Sequence, residues 1–120
     1  MKISFSTLGC PRWSWNDIIT TAADLKYDGI EVRGVGKDIS APSIPQFEPE
    51  LLPATKAQLA KLGLSISCLT SDICLHVRER EDEILREVEA YISLAQRMGV
   101  PYVRIMGCAS VAQPTGQIDA

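Results

Sequence analysis

Histidine is almost missing from this 120-residue sequence: His76 stands alone. None of the four cysteines, Cys10, Cys68, Cys74 and Cys108, falls in a C-x-x-C arrangement. Structural zinc sites draw on closely spaced ligand pairs, so zinc is not expected, and the cysteines read as free thiols. In this reading Cys68 packs as a small hydrophobe within a strand. Long basic runs are lacking too, and the formal net charge is -3, which argues against a nucleic-acid-binding surface. No apolar stretch approaches the roughly 20 residues that span a bilayer. The opening "MKISFSTLGC" holds one lysine and alternates apolar with small polar residues, so it reads as a strand and not a signal peptide. The expected compartment is the cytoplasm, with no membrane partner. What remains is 46% hydrophobic and 22% charged, the balance of one modest globular domain over residues 1–120.

Three junctions share a design: "LKYDGIEVRG", "LAKLGLSISC" and "AQRMGVPYVRIMG". Each closes a helical pattern with a basic residue, then a glycine, then an apolar run. Gly29, Gly63 and Gly99 stand about 35 residues apart. Glycine suits the left-handed position just past a helix end, and a cation in the last turn suits the helix dipole.

The helical patterns are "SWNDIITTAADLKY", "EPELLPATKAQLAKLG" and "REDEILREVEAYISLAQRMG". Ser14 and Asp17 open the first as a capping pair. Pro53 opens the second, whose stripe is Leu52, Thr55, Leu59 and Leu62. In the third, Ile84, Leu85, Val88, Tyr91, Ile92, Ala95 and Met98 share a face. The strand patterns are "KISFST", "GIEVRG", "LSISCLT" and "YVRIMG", giving a βαβαβαβ order of parallel units. The longest loop, 34–48, carries Pro42 and Pro45 and is expected to be irregular or to hold a short turn.

Among parallel folds, the dinucleotide-binding type needs G-x-G-x-x-G directly after its first strand. "LGCPRW" stands there instead, and "RGVGKD" after strand two lacks the third glycine. A (β/α)8 barrel gives each strand an outer side against helices and an inner side in the barrel. Ile30 and Val32 are then expected outward, with Glu31 and Arg33 inward. Val103 and Ile105 likewise point outward, with Arg104 and Met106 inward. An unpaired charge inside a core costs several kcal/mol, whereas a barrel mouth can direct charges at a polar ligand. The inner face is also expected to carry Leu69 and Phe5.

In the order and spacing of "MKISFST", "AADLKYDGIEVRG", "LAKLGLSISCLTSD" and "AYISLAQRMGVPYVRIMGC", the chain resembles the sugar phosphate isomerase/epimerase family, the xylose isomerase-like TIM barrels. The resemblance covers essentially the whole chain and implies an α/β chain holding about the first four β/α units of a (β/α)8 barrel. It implies aldose–ketose isomerisation or epimerisation of a sugar or sugar phosphate in the full-length enzyme. A divalent metal (Mn, Mg, Co or Zn) is expected there, held by Glu, Asp, His and Glu from later strands. Those ligands match no position up to Ala120, so the chain alone is expected to hold no metal and to be inactive. Two other readings stay open: a non-catalytic binding or assembly module, and a fragment of an endonuclease IV-like DNA-repair enzyme.

Glu31 is the candidate catalytic residue, orienting substrate hydroxyls. Arg33 and Arg104 are candidate substrate-binding residues, since guanidinium groups suit phosphate or carboxylate. Trp13 is a candidate wall over a sugar ring, with Trp15 packing under the first helix. His76, after strand three, is a candidate substrate contact, because related enzymes often carry a histidine there. Alternatively, Glu31 and Arg33 pair with Arg104 as structural ions, and His76 is a solvated loop residue. Half a barrel leaves two open sheet edges, so a homo-oligomer, a dimer of half barrels, is expected.

Overall fold

The computed structural model describes residues 1–74 and 81–106. Four strands, β1 (Ser4–Ser6), β2 (Gly29–Val32), β3 (Ser65–Cys74) and β4 (Val103–Met106), alternate with three helices, α1 (Trp15–Asp24), α2 (Leu52–Lys61) and α3 (Glu81–Met98). The strands form one sheet in the order β1-β2-β3-β4, and each neighbouring pair is parallel. This is the α/β architecture expected, a parallel four-strand sheet with alternating helices that matches half of a (β/α)8 barrel. The 34–48 loop contains two single 3-10 turns, Ala41–Ser43 and Pro45–Phe47. Among the described residues, no helix is long and apolar enough to cross a membrane.

Local chemistry sets the helix ends. The Ser14 hydroxyl accepts from the Asp17 amide while the Asp17 carboxylate accepts from the Ser14 amide, a complete capping box. At the far ends the three helices close alike. The Tyr27, Leu64 and Val100 amides reach back to the carbonyls of Ala22, Leu59 and Ala95, each at 2.9 Å. The preceding residue is left-handed in all three: Lys26 (φ 60°), Gly63 (φ 71°) and Gly99 (φ 72°). Gly29 was expected in the first of these places, and the structure corrects this. Lys26 takes the turn, and Gly29 begins β2 against β3, where an added Cβ would stand 3.0 Å from the Ser65 carbonyl oxygen. The glycine serves close strand approach there, while a lysine bears the strained backbone.

Trp15, Ile18, Ile19 and Ala22 from α1, Leu52 and Leu59 from α2, and Ile84, Tyr91, Leu94 and Ala95 from α3 join the strand residues Ile30, Val32, Ile66, Leu69 and Ile73 in a single core cluster. Ile30 and Val32 are fully enclosed. Two expectations for the inner face are corrected. Leu69 lies in the core, because β3 carries a bulge: Ile30 pairs with Ile66 but Glu31 pairs with Cys68, so Ser67 is an extra residue. The bulge flips the alternation and returns Leu69 to the helix side beside Val32. Phe5 pairs with Ile30 and so shares its outward side, where its ring lies 4.9 Å from that of Tyr27. The inner face is polar in consequence. Ser4 and Ser67 join hydroxyls across it at 2.9 Å, and Ser6, Glu31 and Cys68 form one row. On α3, Leu94 joins the core, while Leu85 and Ile92 are exposed.

A left-handed lysine costs about 1 kcal/mol or more, against a glycine's greater freedom when unfolded. Lys26→Gly should therefore stabilise the chain by about 0.5 kcal/mol, whereas Gly63→Ala should destabilise it by about 1 kcal/mol. Urea unfolding curves of the two variants check the contrast, and a destabilised Lys26→Gly would contradict the assignment of strain to Lys26.

Candidate functional site

The sheet register sets the polar side chains in tiers. Ser6, Glu31 and Cys68 are paired across β1, β2 and β3. One step nearer the C-terminal ends, the outward row is Val32, Leu69 and Val103. Immediately after it come Arg33, Thr70 and Arg104, with Thr70 and Arg104 directly paired. Arg104 is thus paired with a buried threonine, with Glu31 one tier below and Arg33 following directly after the end of β2. C-terminal ends of parallel strands are where barrels of this kind bind ligands. Glu31 and Arg33 are half-buried and Arg104 is exposed. The Nη1 atom of Arg33 is buried and has no hydrogen-bond partner among the described residues. A buried guanidinium nitrogen without an acceptor is costly.

Two enclosed hydroxyl groups fix the backbone on which the arginines sit. β1 ends at Ser6, and the next residue, Thr7, accepts the amides of Arg33 and Gly34 on its Oγ1 at 2.9 and 3.2 Å. On β3 the register shifts again after Thr70, so that Cys74 pairs with Met106. Within that irregular stretch the Ser71 hydroxyl donates to the Arg104 carbonyl at 2.8 Å and accepts from the Ile73 amide at 3.3 Å. Thr7 and Thr70 escaped sequence reasoning. The available signal was a small hydroxyl residue at the end of each strand pattern, in "KISFST" and "LSISCLT".

Trp13 lines a groove of about 550 Å³ with Phe5, Ser6, Cys10, Leu25 and Tyr27, and Ser6 is the ladder partner of Glu31. Glu31, Arg33 and Arg104 do not line that groove. Trp15 is enclosed in the core, its ring edge-on to Phe47 at 5.3 Å. His76 lies outside the described residues, as does Cys108. Cys10 and Cys68 are free thiols, as expected. Among the described residues, no three His, Cys, Asp or Glu side chains converge as a metal site would require. These residues therefore do not fit a metal ion.

No family model and no curated protein matches the chain. A solved structure does: the probable 3-DHS dehydratase AsbF, involved in petrobactin synthesis, from Bacillus anthracis. The TM-score is 0.68 at 23% identity, over 88% of this chain and 38% of that one. The likeness establishes the fold, that of half of a TIM barrel. This chain spans well under half of that protein's length.

Burial pushes the Cys10 thiol pKa above its ordinary value, so the protonated form prevails at neutral pH. Alkylation of Cys10 by iodoacetamide at pH 7.5 (an assay value of roughly neutral pH) should be slower than that of the same thiol in urea-unfolded chain. Peptide mass spectrometry gives the two rates, and equal rates would show that the groove does not shield Cys10.

Proposed function

We propose that this chain supplies the N-terminal half of a barrel that binds an anionic, hydroxylated small molecule, a sugar phosphate or a related acid, in an isomerase or epimerase. The observation that carries the reading is the paired Thr70 and Arg104 one tier above Glu31, with Arg33 directly after the end of β2. Two arginines near the strand ends suit the bidentate capture of phosphate or carboxylate. The unpartnered Arg33 Nη1 supports the same assignment. Glu31, one tier deeper, accepts hydrogen bonds from the substrate's hydroxyl groups and orients its carbon chain. Proton transfer next to a carbonyl also needs stabilisation of the enediolate charge. A divalent metal would supply that as a Lewis acid in the full-length enzyme. The described residues do not build its site, so substrate binding and orientation are the roles proposed for them.

A dehydration reaction is the second reading, favoured by the name of the structural neighbour, a probable dehydratase. It asks the same of this half: an anion held by two arginines and hydroxyl groups oriented by a carboxylate. The net charge of -3 does not favour the DNA-repair alternative.

Calorimetric titration with a sugar phosphate and with the corresponding neutral sugar tests the reading. Arg33→Ala and Arg104→Ala should each weaken the phosphate ester by on the order of tenfold and leave the neutral sugar unchanged. Binding of the ester should occur without turnover, with or without Mn, Mg or Co. Ester affinity that is insensitive to both arginines would contradict the proposal.

As the alternative to a second half in the same polypeptide, a second copy of this chain is the proposed partner. Among the described residues β1 and β4 each present an unpaired edge, and the strands run in one direction. A two-fold axis along the barrel would pair β1 of each copy with β4 of the other and close eight parallel strands. The polar inner face gives little reason for the copies to stack face to face. The exposed apolar side chains instead include Ile3 and Leu8 beside β1, Leu25 just past α1, and Leu85 and Ile92 on α3. Closure would bring two sets of Glu31, Arg33 and Arg104 into one lumen. Light scattering at micromolar concentration should report a dimer, and a folded monomer with a cooperative melt would rule the closure out.

A further inference from the structure

The ladders between neighbouring strands fail at two places near the C-terminal ends of the sheet, and a buried hydroxyl stands at each. β1 pairs with β2 only as far as Ser6 and Glu31. Beyond that point the Arg33 and Gly34 amides have no β1 strand beside them, and both turn to Thr7 Oγ1. The ladder between β3 and β4 is interrupted between Thr70 and Cys74. There the Arg104 carbonyl takes its hydrogen bond from Ser71 Oγ. Thr7 is 2% exposed and Ser71 0%. Neither hydroxyl can serve a ligand directly, since each already serves the main chain and is shut off from solvent. A buried amide or carbonyl without a partner would be costly. Strand ends lacking these hydroxyls would therefore shift until other partners were found.

The two hydroxyls share one more feature. Each is contributed by a neighbouring strand or its end, and each acts on the main chain of an arginine near the C-terminal strand ends. Thr7 holds the residue bearing the Arg33 side chain at its amide, and Ser71 holds the residue bearing Arg104 at its carbonyl. We infer that Thr7 and Ser71 are positioning residues, whose buried hydroxyls set the spacing and aim of the two guanidinium groups for one anion. The inference rests on the anion-binding role proposed for Arg33 and Arg104. A displacement of the order of 1 Å in a positioned group can cost large factors in function, so loss of a peg should register in anion affinity.

Inorganic phosphate is the probe, titrated into the full 120-residue chain and followed by amide NMR shifts. Thr7→Val replaces the hydroxyl with a methyl group of similar size, Ser71→Ala removes the other hydroxyl, and Thr7→Ser keeps it. Thr7→Val and Ser71→Ala should each weaken phosphate by on the order of tenfold. Thr7→Ser should bind as the parent chain does, even if its melting temperature falls. In Thr7→Val the Arg33 and Gly34 amides should also exchange with solvent faster, while those of α3 stay protected. Should Thr7→Val fail to fold, Ser71→Ala and Thr7→Ser decide the matter. Parent-like phosphate affinity in Ser71→Ala, or a loss in Thr7→Ser as large as the valine's, would overturn the inference. If Arg33→Ala and Arg104→Ala lose phosphate while the hydroxyl variants keep it, the positioning role fails and the anion site stands. If phosphate binds the parent and both arginine variants alike, or binds none of them, the anion site fails and the positioning role with it.

Discussion

The burial of Ile30 and Val32 between the sheet and its helices is the constraint on which the rest depends. Both are completely enclosed, and each such side chain contributes about 1.5–3 kcal/mol by leaving water. Because strand side chains alternate, anchoring these two on the helix side commits Glu31 to the other face. The charges follow from the packing. A slip of one residue in β2 would drive Glu31 into an apolar core at a cost of several kcal/mol, so the core protects the register of the polar face.

That register is relayed outward through two irregularities. The extra Ser67 in β3 keeps Ile66 and Leu69 on the helix side while Cys68 stays level with Glu31. The second interruption, past Thr70, frees the Ser71 hydroxyl for the Arg104 carbonyl. Bulges concentrate beside functional sites because they re-aim side chains without disturbing the core beneath. Here both lie on the strand between the two arginine-bearing strands. The molecule thus divides into a helix-covered apolar side that holds the chain together and a polar side that carries the candidate chemistry.

Much of the outline was legible in the sequence, and its failures have local causes. The Ser14–Asp17 cap, the glycines closing α2 and α3, and the outward Ile30 and Val32 could be read directly, since each follows from short-range periodicity or turn chemistry. Lys26 could not, because a left-handed lysine runs against its own preference and the nearby Gly29 offered a more conventional turn. Leu69 was placed on the wrong face because period-two counting assumes an unbroken strand, and nothing in "LSISCLT" announces a bulge. Phe5 follows the partnering of β1 with β2, a tertiary fact. Of the candidate site, the register orders Glu31 one tier below the paired Thr70 and Arg104, while Trp13 lines a groove that also includes Ser6, the ladder partner of Glu31. Thr7 and Thr70 were missed because a hydroxyl at a strand end carries no charge or periodic mark.

The central claim is that the inner face near the strand ends is an anion-binding surface organised by two arginines. Mapping amide shifts across the chain during a titration with inorganic phosphate addresses it most directly. The account predicts a contiguous set of responses at Arg33, Gly34, Thr70 and Arg104, with the groove residues Phe5, Leu25 and Tyr27 unmoved. Responses centred on that groove, or scattered over surface lysines with no effect at Arg33 and Arg104, would contradict it.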